Sequence, residues 1–110
     1  MDNLLNQMGQ RLMERRKQYR LTQEELAERT DLTTQTISTS ETGRKALRPE
    51  NIIKLCKELE ISTDYLLTGC ITKDDVAVLY DKLAVLSPAQ YRHLEDIINS
   101  YIAAVSEDTK

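Results

Sequence analysis

The sequence contains no Trp and no Phe, and only two Pro, three Gly and two Cys. Without the largest rings, any core must be aliphatic, helped by five Tyr. With so few turn formers and little β-branched alternation, the pattern is that of an all-α chain. Cys56 and Cys70 are too sparse for a disulfide framework and lack zinc-ligand spacing. No apolar run is long enough to cross a bilayer, so no membrane association is expected. The start, Met1-Asp2-Asn3, has no basic n-region, so no signal peptide is expected and the cytoplasm is the default. Nor is there a nucleophile–base pair, a metal-ligand cluster or a Gly-rich phosphate loop. The expectation is a protein that is not an enzyme and uses no cofactor or metal. His93, the only His, lies beside Arg92 and Glu95 on a helical stretch and reads as a surface residue.

What is present fits one or two small domains in 110 residues. The net charge of −3 does not advertise binding to a polyanion, but its distribution is informative. Residues 1–69 carry eleven basic and eleven acidic side chains, whereas residues 70–110 carry four against seven. Any surface that meets a polyanion therefore belongs to the front part, and should rely on shape and specific contacts more than on bulk charge.

Apolar spacing predicts a first helix from about Asn3 to Tyr19, with Leu5, Met8, Leu12 and Arg16 on one face. A charge at the end of an apolar stripe calls for a buried partner, and Glu41 is the candidate. Thr22-Gln23-Glu24-Glu25 has the form of a capping box opening a second helix. Asp31 occupies the following turn, and Thr33 is a good N-cap for a third helix ending near Gly43. Pro49 suits the first turn of a fourth, whose stripe reads Ile52, Ile53, Cys56 and Leu59. Ser62 caps a fifth, with Tyr65, Leu66 and Leu67 before Gly69. Cys56 falls on an apolar stripe and reads as core, while nothing near Cys70 marks an activated thiol.

The third helix is unusual. Apart from Ile37 it is hydroxyl or amide nearly throughout, from Thr33 to Thr42. It adds little to a core, yet it suits the major groove of DNA, where base edges offer donors, acceptors and thymine methyls. Gln35 is the best candidate for a bidentate contact to adenine, and Thr34 and Thr39 can offer a methyl or a hydroxyl, so a half-site containing A·T is expected. Arg11, Arg15, Lys17 and Arg20 could meet phosphates, but a solvated helix face is the better reading.

These residues resemble the Cro/cI-type, or XRE-like, helix-turn-helix family. The likeness runs from about Met8 to Gly69. It rests on Met8-Gly9, Arg16, Leu21-Thr22-Gln23-Glu24-Glu25-Leu26-Ala27, Thr36-Ile37-Ser38, Glu41, Gly43 and Leu59 to Leu67. The resemblance implies a five-helix, lambda-repressor-like DNA-binding domain over residues 1–69, with the third helix in the major groove of double-stranded DNA. It implies a phosphate contact for Gln23, base-facing positions for Thr34, Gln35 and Thr39, and a backbone-tracking loop at Thr42, Arg44 and Lys45. Thr33, Thr36 and Ser38 complete the DNA-binding set on the same segment. Arg16 and Glu41 match a structural salt bridge of the family. The chain departs from the pattern at Arg20 and Asp31, where Gly is common, at Thr30 and Ser40, where apolar residues are usual, and at Arg15, which replaces a common Leu. Ser40 is expected to loosen the packing of the third helix.

Residues 70–110 read as a C-terminal two-helix hairpin that serves oligomerisation. Thr72 caps a helix with Val76, Leu79, Leu83 and Leu86 in register, and Ser87-Pro88-Ala89-Gln90 opens the last helix. That helix carries Tyr91, Leu94, Ile97, Ile98, Tyr101, Ile102 and Val105, and Ser106 to Lys110 reads as a frayed tail. Two such helices cannot make a core of their own. Tyr91, Leu94, Ile98, Tyr101, Ile102 and Val105 are therefore expected to form a homodimer interface. The expected function is a dimeric repressor that occludes an operator. The alternative is an antitoxin-like or adaptor protein whose C-terminal helices hold a protein partner.

Overall fold

The computed structural model describes residues 3–108, and among these it contains seven α-helices and no strand. They are α1 (Leu4–Gln18), α2 (Gln23–Thr30), α3 (Thr34–Glu41), α4 (Pro49–Leu59), α5 (Thr63–Thr68), α6 (Lys73–Ala84) and α7 (Pro88–Asp108). The chain divides into two compact units, Met1–Val76 and Ala77–Lys110.

The helix starts follow from local chemistry. Asn3, Thr22, Thr33 and Ser62 each turn a side-chain oxygen onto a backbone N–H three residues ahead. At Thr22 the box closes, because the Glu25 carboxylate accepts the Thr22 N–H at 2.9 Å. Those bonds hold the Glu25 carboxyl below its ordinary pKa. Helix ends are less conventional. Arg20, Asp31 and Glu60 adopt left-handed backbone, with φ of 57°, 58° and 54°, at positions where Gly would be unstrained. Each such residue costs about 1–2 kcal/mol, which the surrounding packing must offset.

The core of the first unit is aliphatic. Leu12, Leu26, Ile37, Leu55, Leu59 and Leu66 are fully buried, with Met8, Leu21, Ala27 and Cys56 around them. On α4 the inward stripe is Leu55, Cys56 and Leu59, all buried, with Ile52 half-buried against them, at helical spacing. Ile53, expected on that stripe, lies one residue off it and is 59% exposed.

Helix α1 packs on α3 and α5, and α2 packs on α3 and α4. The α1–α3 approach is close because Gly9 has no side chain; a Cβ there would meet the Ser40 and Glu41 carbonyls. Ser40 is buried at this crossing and gives its hydroxyl to the Thr36 carbonyl at 2.6 Å. Its small side chain suits the close crossing, and with Met8, Gly9 and Leu12 it lines a small hollow. Thr30, likewise buried, gives its hydroxyl to the Leu26 carbonyl at 2.7 Å.

Arg11 and Arg15 do not form a solvated face. Arg11 donates to the Leu66 carbonyl at 3.0 Å, at the end of α5. Arg15 donates to the Leu59 carbonyl at 2.9 Å, at the end of α4, and lies 4.5 Å over the Tyr19 ring. Both cations thus satisfy orphan carbonyls at the negative ends of helices.

The compact unit extends to Val76, past the expected boundary near Gly69 to Ile71. Asp75 explains the extension. Its carboxylate accepts from the Ser62 N–H at 2.8 Å, the Ser62 hydroxyl at 2.6 Å and the Thr72 N–H at 2.9 Å. The first turn of α6 is thereby tied to the start of α5.

In the second unit, α7 opens with Ser87 and Gln90 capping each other and continues to Asp108, so residues 106–108 are helical rather than frayed. Residues 109–110 lie outside the described residues. No described side chain on α6 or α7 is buried. Tyr91, Leu94 and Ile98 line a shallow apolar hollow with Leu83. Ile97, Tyr101 and Ile102 are each more than half exposed.

Candidate nucleic-acid interface

Helix α3 is held by one face and open on the other. Ile37 is completely buried, and Ser40 and Glu41 are buried beside it. Thr33, Thr34 and Gln35 are exposed, and Thr36, Ser38 and Thr39 are half-buried. The Thr33 Oγ1 accepts the Thr36 N–H at 3.0 Å, and the two hydroxyls are 2.8 Å apart. The Thr39 hydroxyl donates to the Gln35 carbonyl at 2.9 Å, and that of Thr42 donates to the Ser38 carbonyl at 3.1 Å. These hydroxyl protons are spent on the backbone, so Thr39 and Thr42 present methyl groups and acceptor lone pairs outward. The first turn of α3 has no acidic residue, which leaves the positive end of its dipole uncancelled.

A groove runs beside α3. Gln35 and Thr39 form one side, and Lys45, Arg48, Asn51 and Lys54 form the other, with Asp31 and Glu50 also on its walls. Arg44 and Lys45 are exposed on the loop that follows Gly43. The Gly43 φ of 75° suits Gly, and a Cβ there would strike Asn6 of α1. Arg48, Asn51 and Lys54 were not among the expected site residues. The available signal was weak: Lys54 falls on the side of α4 opposite its apolar stripe, as a solvated Lys would.

Behind this surface sits a buried ion pair. Arg16 Nε lies 2.6 Å from Glu41 Oε2, and Arg16 Nη2 lies 3.0 Å from Glu41 Oε1. The side chains are 11% and 3% exposed. Arg16 also donates to the Leu21 carbonyl at 2.8 Å. Hydrogen bonding to Glu41 raises the Arg16 pKa against the opposing effect of burial. Gln23, half-buried at the start of α2, donates its amide N–H to Glu41 Oε1 at 2.9 Å.

Elsewhere the chemistry is quiet. Burial, with a smaller contribution from Asp75, pushes the Cys56 thiol up to about 11, so it stays protonated and inert. Cys70 and His93 are exposed. The described residues contain no His, Cys, Asp and Glu group fit to hold a metal. None of the described helices is long and apolar enough to cross a membrane.

A small helical unit whose second helix buttresses a polar, outward-facing third is the framework of a helix-turn-helix DNA-binding protein. The sequence matches the family model described as Helix-turn-helix over residues 12–66, half of the chain. The chain belongs to this family, in its Cro/cI-type (XRE-like) branch of DNA-binding transcriptional regulators.

Solved structures agree. The restriction-modification controller protein C.AhdI from Aeromonas hydrophila is 35% identical, with a TM-score of 0.54, over 56% of this chain and 94% of that one. The P22 c2 repressor, solved with a synthetic operator, is 35% identical, with a TM-score of 0.56, over 57% of this chain and 96% of its own. The clp gene regulator ClgR from C. glutamicum shares the fold at 24% identity, with a TM-score of 0.57, over 72% of this chain and 96% of that one. A comparison with curated proteins gives no match.

Proposed function

We propose that the protein is a cytoplasmic, sequence-specific repressor that binds an operator as a homodimer. The observation that carries the DNA half of this reading is the open face of α3. Ile37 anchors the helix from below, while Gln35 and Thr34 are exposed, and Gln35 lines a groove with Lys45, Arg48 and Lys54. In this reading Gln35, Thr34 and Thr39 face base edges, with Thr33, Thr36 and Ser38 beside them. Gln23, Thr42, Arg44 and Lys45 meet phosphates. The P22 c2 repressor, solved with a synthetic operator, lends this assignment support.

The dimer half of the reading rests on the second unit. Tyr91, Leu94, Ile98, Tyr101, Ile102 and Val105 form an apolar surface on α7 with no buried side chain behind it. A second copy would remove that surface from water and place two recognition helices on a near-palindrome. Occupying such a site would block access to an overlapping promoter.

Selection of bound duplexes from random DNA, followed by footprinting, tests the reading. The expected product is a near-palindrome with A·T pairs in each half-site. Gln35→Ala should then cost about 1–3 kcal/mol at one base pair. Equal weakening on every sequence would remove Gln35 from base reading. Recovery of a tight complex with a co-expressed protein, in place of a homodimer, would instead favour an antitoxin-like or adaptor role.

A further inference from the structure

Between α5 and α6 the chain has a short non-helical stretch, residues 69–72, which opens with Gly69 in left-handed backbone at φ 82°. An exposed connection that begins with Gly would ordinarily act as a hinge. Asp75 closes it. One of its carboxylate oxygens accepts the Ser62 N–H at 2.8 Å. The other accepts the Ser62 hydroxyl at 2.6 Å, the Thr72 N–H at 2.9 Å and the Thr72 hydroxyl at 3.1 Å. The Ser62 oxygen in turn accepts the Tyr65 N–H at 2.9 Å, so the N-cap of α5 and the first turn of α6 share one bonded cluster, all within the first unit. The Cys56 thiol stands behind it, 3.8 Å from the Ser62 carbonyl oxygen. Beyond the joint α6 runs unbroken from Lys73 to Ala84, past the end of the first unit at Val76, and the sequence has no Gly or Pro between Gly69 and Pro88. A continuous helix is a stiff connector, whereas a Gly-containing loop is a flexible one.

Stiffness at this point matters to a dimer on DNA. Two half-sites strengthen binding only when both DNA-reading units engage at once. Changing their spacing by two base pairs turns one half-site by about 70° around the duplex. A hinged attachment absorbs that turn, and a clamped one does not. We infer that Asp75 is a positioning residue for operator choice: by clamping the start of α6 onto α5 it confines the dimer to one spacing between half-sites. The inference rests on the proposed homodimer and on the proposed DNA-binding face of α3, and it assigns Asp75 no contact with DNA.

Titration against a duplex selected by the wild-type protein, and against the same duplex with its half-sites moved two base pairs apart or together, tests it. The wild type should bind the altered duplexes about tenfold more weakly than the selected one, or worse. For Asp75→Ala the same comparison should give less than about threefold, with the affinity for a lone half-site unchanged, a readout that loss of folding would move. Asp75→Asn keeps the size of the side chain and one acceptor oxygen, so it should fall between the two, and it serves the same comparison if the Ala variant unfolds. Ala77→Gly with Asp81→Gly, at two exposed positions, softens α6 and leaves the joint intact, and it should relax the spacing in the same way. Strict spacing retained by the Asp75 variants or by the Gly pair, or a wild type indifferent to spacing, would overturn the inference while leaving the dimer standing. A wild type that gains nothing from a second half-site would remove the dimer and the inference together.

Discussion

Gly9 of α1 lies against the backbone carbonyl of Ser40 in α3, leaving no room for even a methyl group. The approach sets how closely the first helix meets the recognition helix, and Ser40 is small enough to share it. Gly9→Ala would gain helix propensity, which is worth about 1 kcal/mol. It must also push two backbones apart, and overpacking of this kind costs about 1–3 kcal/mol or more. Because the obstructing atoms are backbone, they cannot swing away, and the net effect should be destabilising. Urea unfolding should show a lower midpoint with an unchanged slope. A midpoint at or above that of the wild type would mean that the two helices can separate without penalty.

The cations of the first unit divide by partner and by exposure alike. Arg11 and Arg15 are engaged by the carbonyls of Leu66 and Leu59, whereas Arg44 and Lys45 project from the loop after α3. Replacing Arg11 or Arg15 by Ala should lower thermal stability, on the order of 1 kcal/mol each, and leave the salt dependence of DNA binding unchanged. Replacing Arg44 or Lys45 should do the reverse: stability holds, and the slope of log K against log salt falls by about one for each phosphate no longer neutralised. A reduced slope for Arg11→Ala or Arg15→Ala would return those residues to the DNA interface.

Asp75 predicts an acid-sensitive joint. Burial pushes its carboxyl up, but hydrogen bonds from Ser62 and Thr72 pull harder and hold it below the ordinary carboxylate value. A carboxyl depressed in the folded state contributes stability that is complete above its unfolded pKa, about 3.9, and is lost as pH falls through the lower, folded value. Asp75→Asn should therefore be less stable than the wild type at neutral pH, and the gap should close as the pH is lowered below about 4. Thermal melts of both proteins across that range supply the check. A gap of constant size would show that the charge of Asp75 does not matter to the joint.

Much of this was legible from local rules. The capping box at Thr22, the cap at Thr33, Pro49 and the Ser87-Pro88 start each mark a helix boundary through groups only a few residues apart. The polar third helix stood out because one Ile among hydroxyl side chains can anchor only one face. The long-range pairings were less accessible. Glu41 could be proposed for Arg16 because a charge ending an apolar stripe demands a partner. Arg11 and Arg15 gave no such signal, since their partners are backbone carbonyls far away in sequence. Asp75 hid for a related reason. As the third residue after Thr72 it looks like ordinary first-turn chemistry, and its bonds to Ser62 depend on the tertiary fold. The place of Ile53 shows the limit of periodicity, because a shift of one residue separates it from Ile52, which is half-buried against the core.

The exposed face of α7 supplies the most consequential prediction. Ile98 and Tyr101 sit three residues apart on the same side of the helix, 42% and 68% exposed, with Tyr91, Leu94 and Val105 continuing the stripe. A large apolar surface left in water favours association, at roughly 25 cal/mol for each Å² removed. Ile98→Lys with Tyr101→Lys would place two charges on that face, and neither residue belongs to the buried core cluster. Light scattering should report a dimer for the wild type and a monomer for the double variant. The variant should retain the helical content and the melting of the first unit. Its affinity for a full operator should fall steeply while that for a single half-site changes little, because the two DNA-binding units are no longer tethered to each other. A wild-type protein that scatters as a monomer at micromolar concentration would end the dimer proposal, and would leave the α7 surface to a different protein.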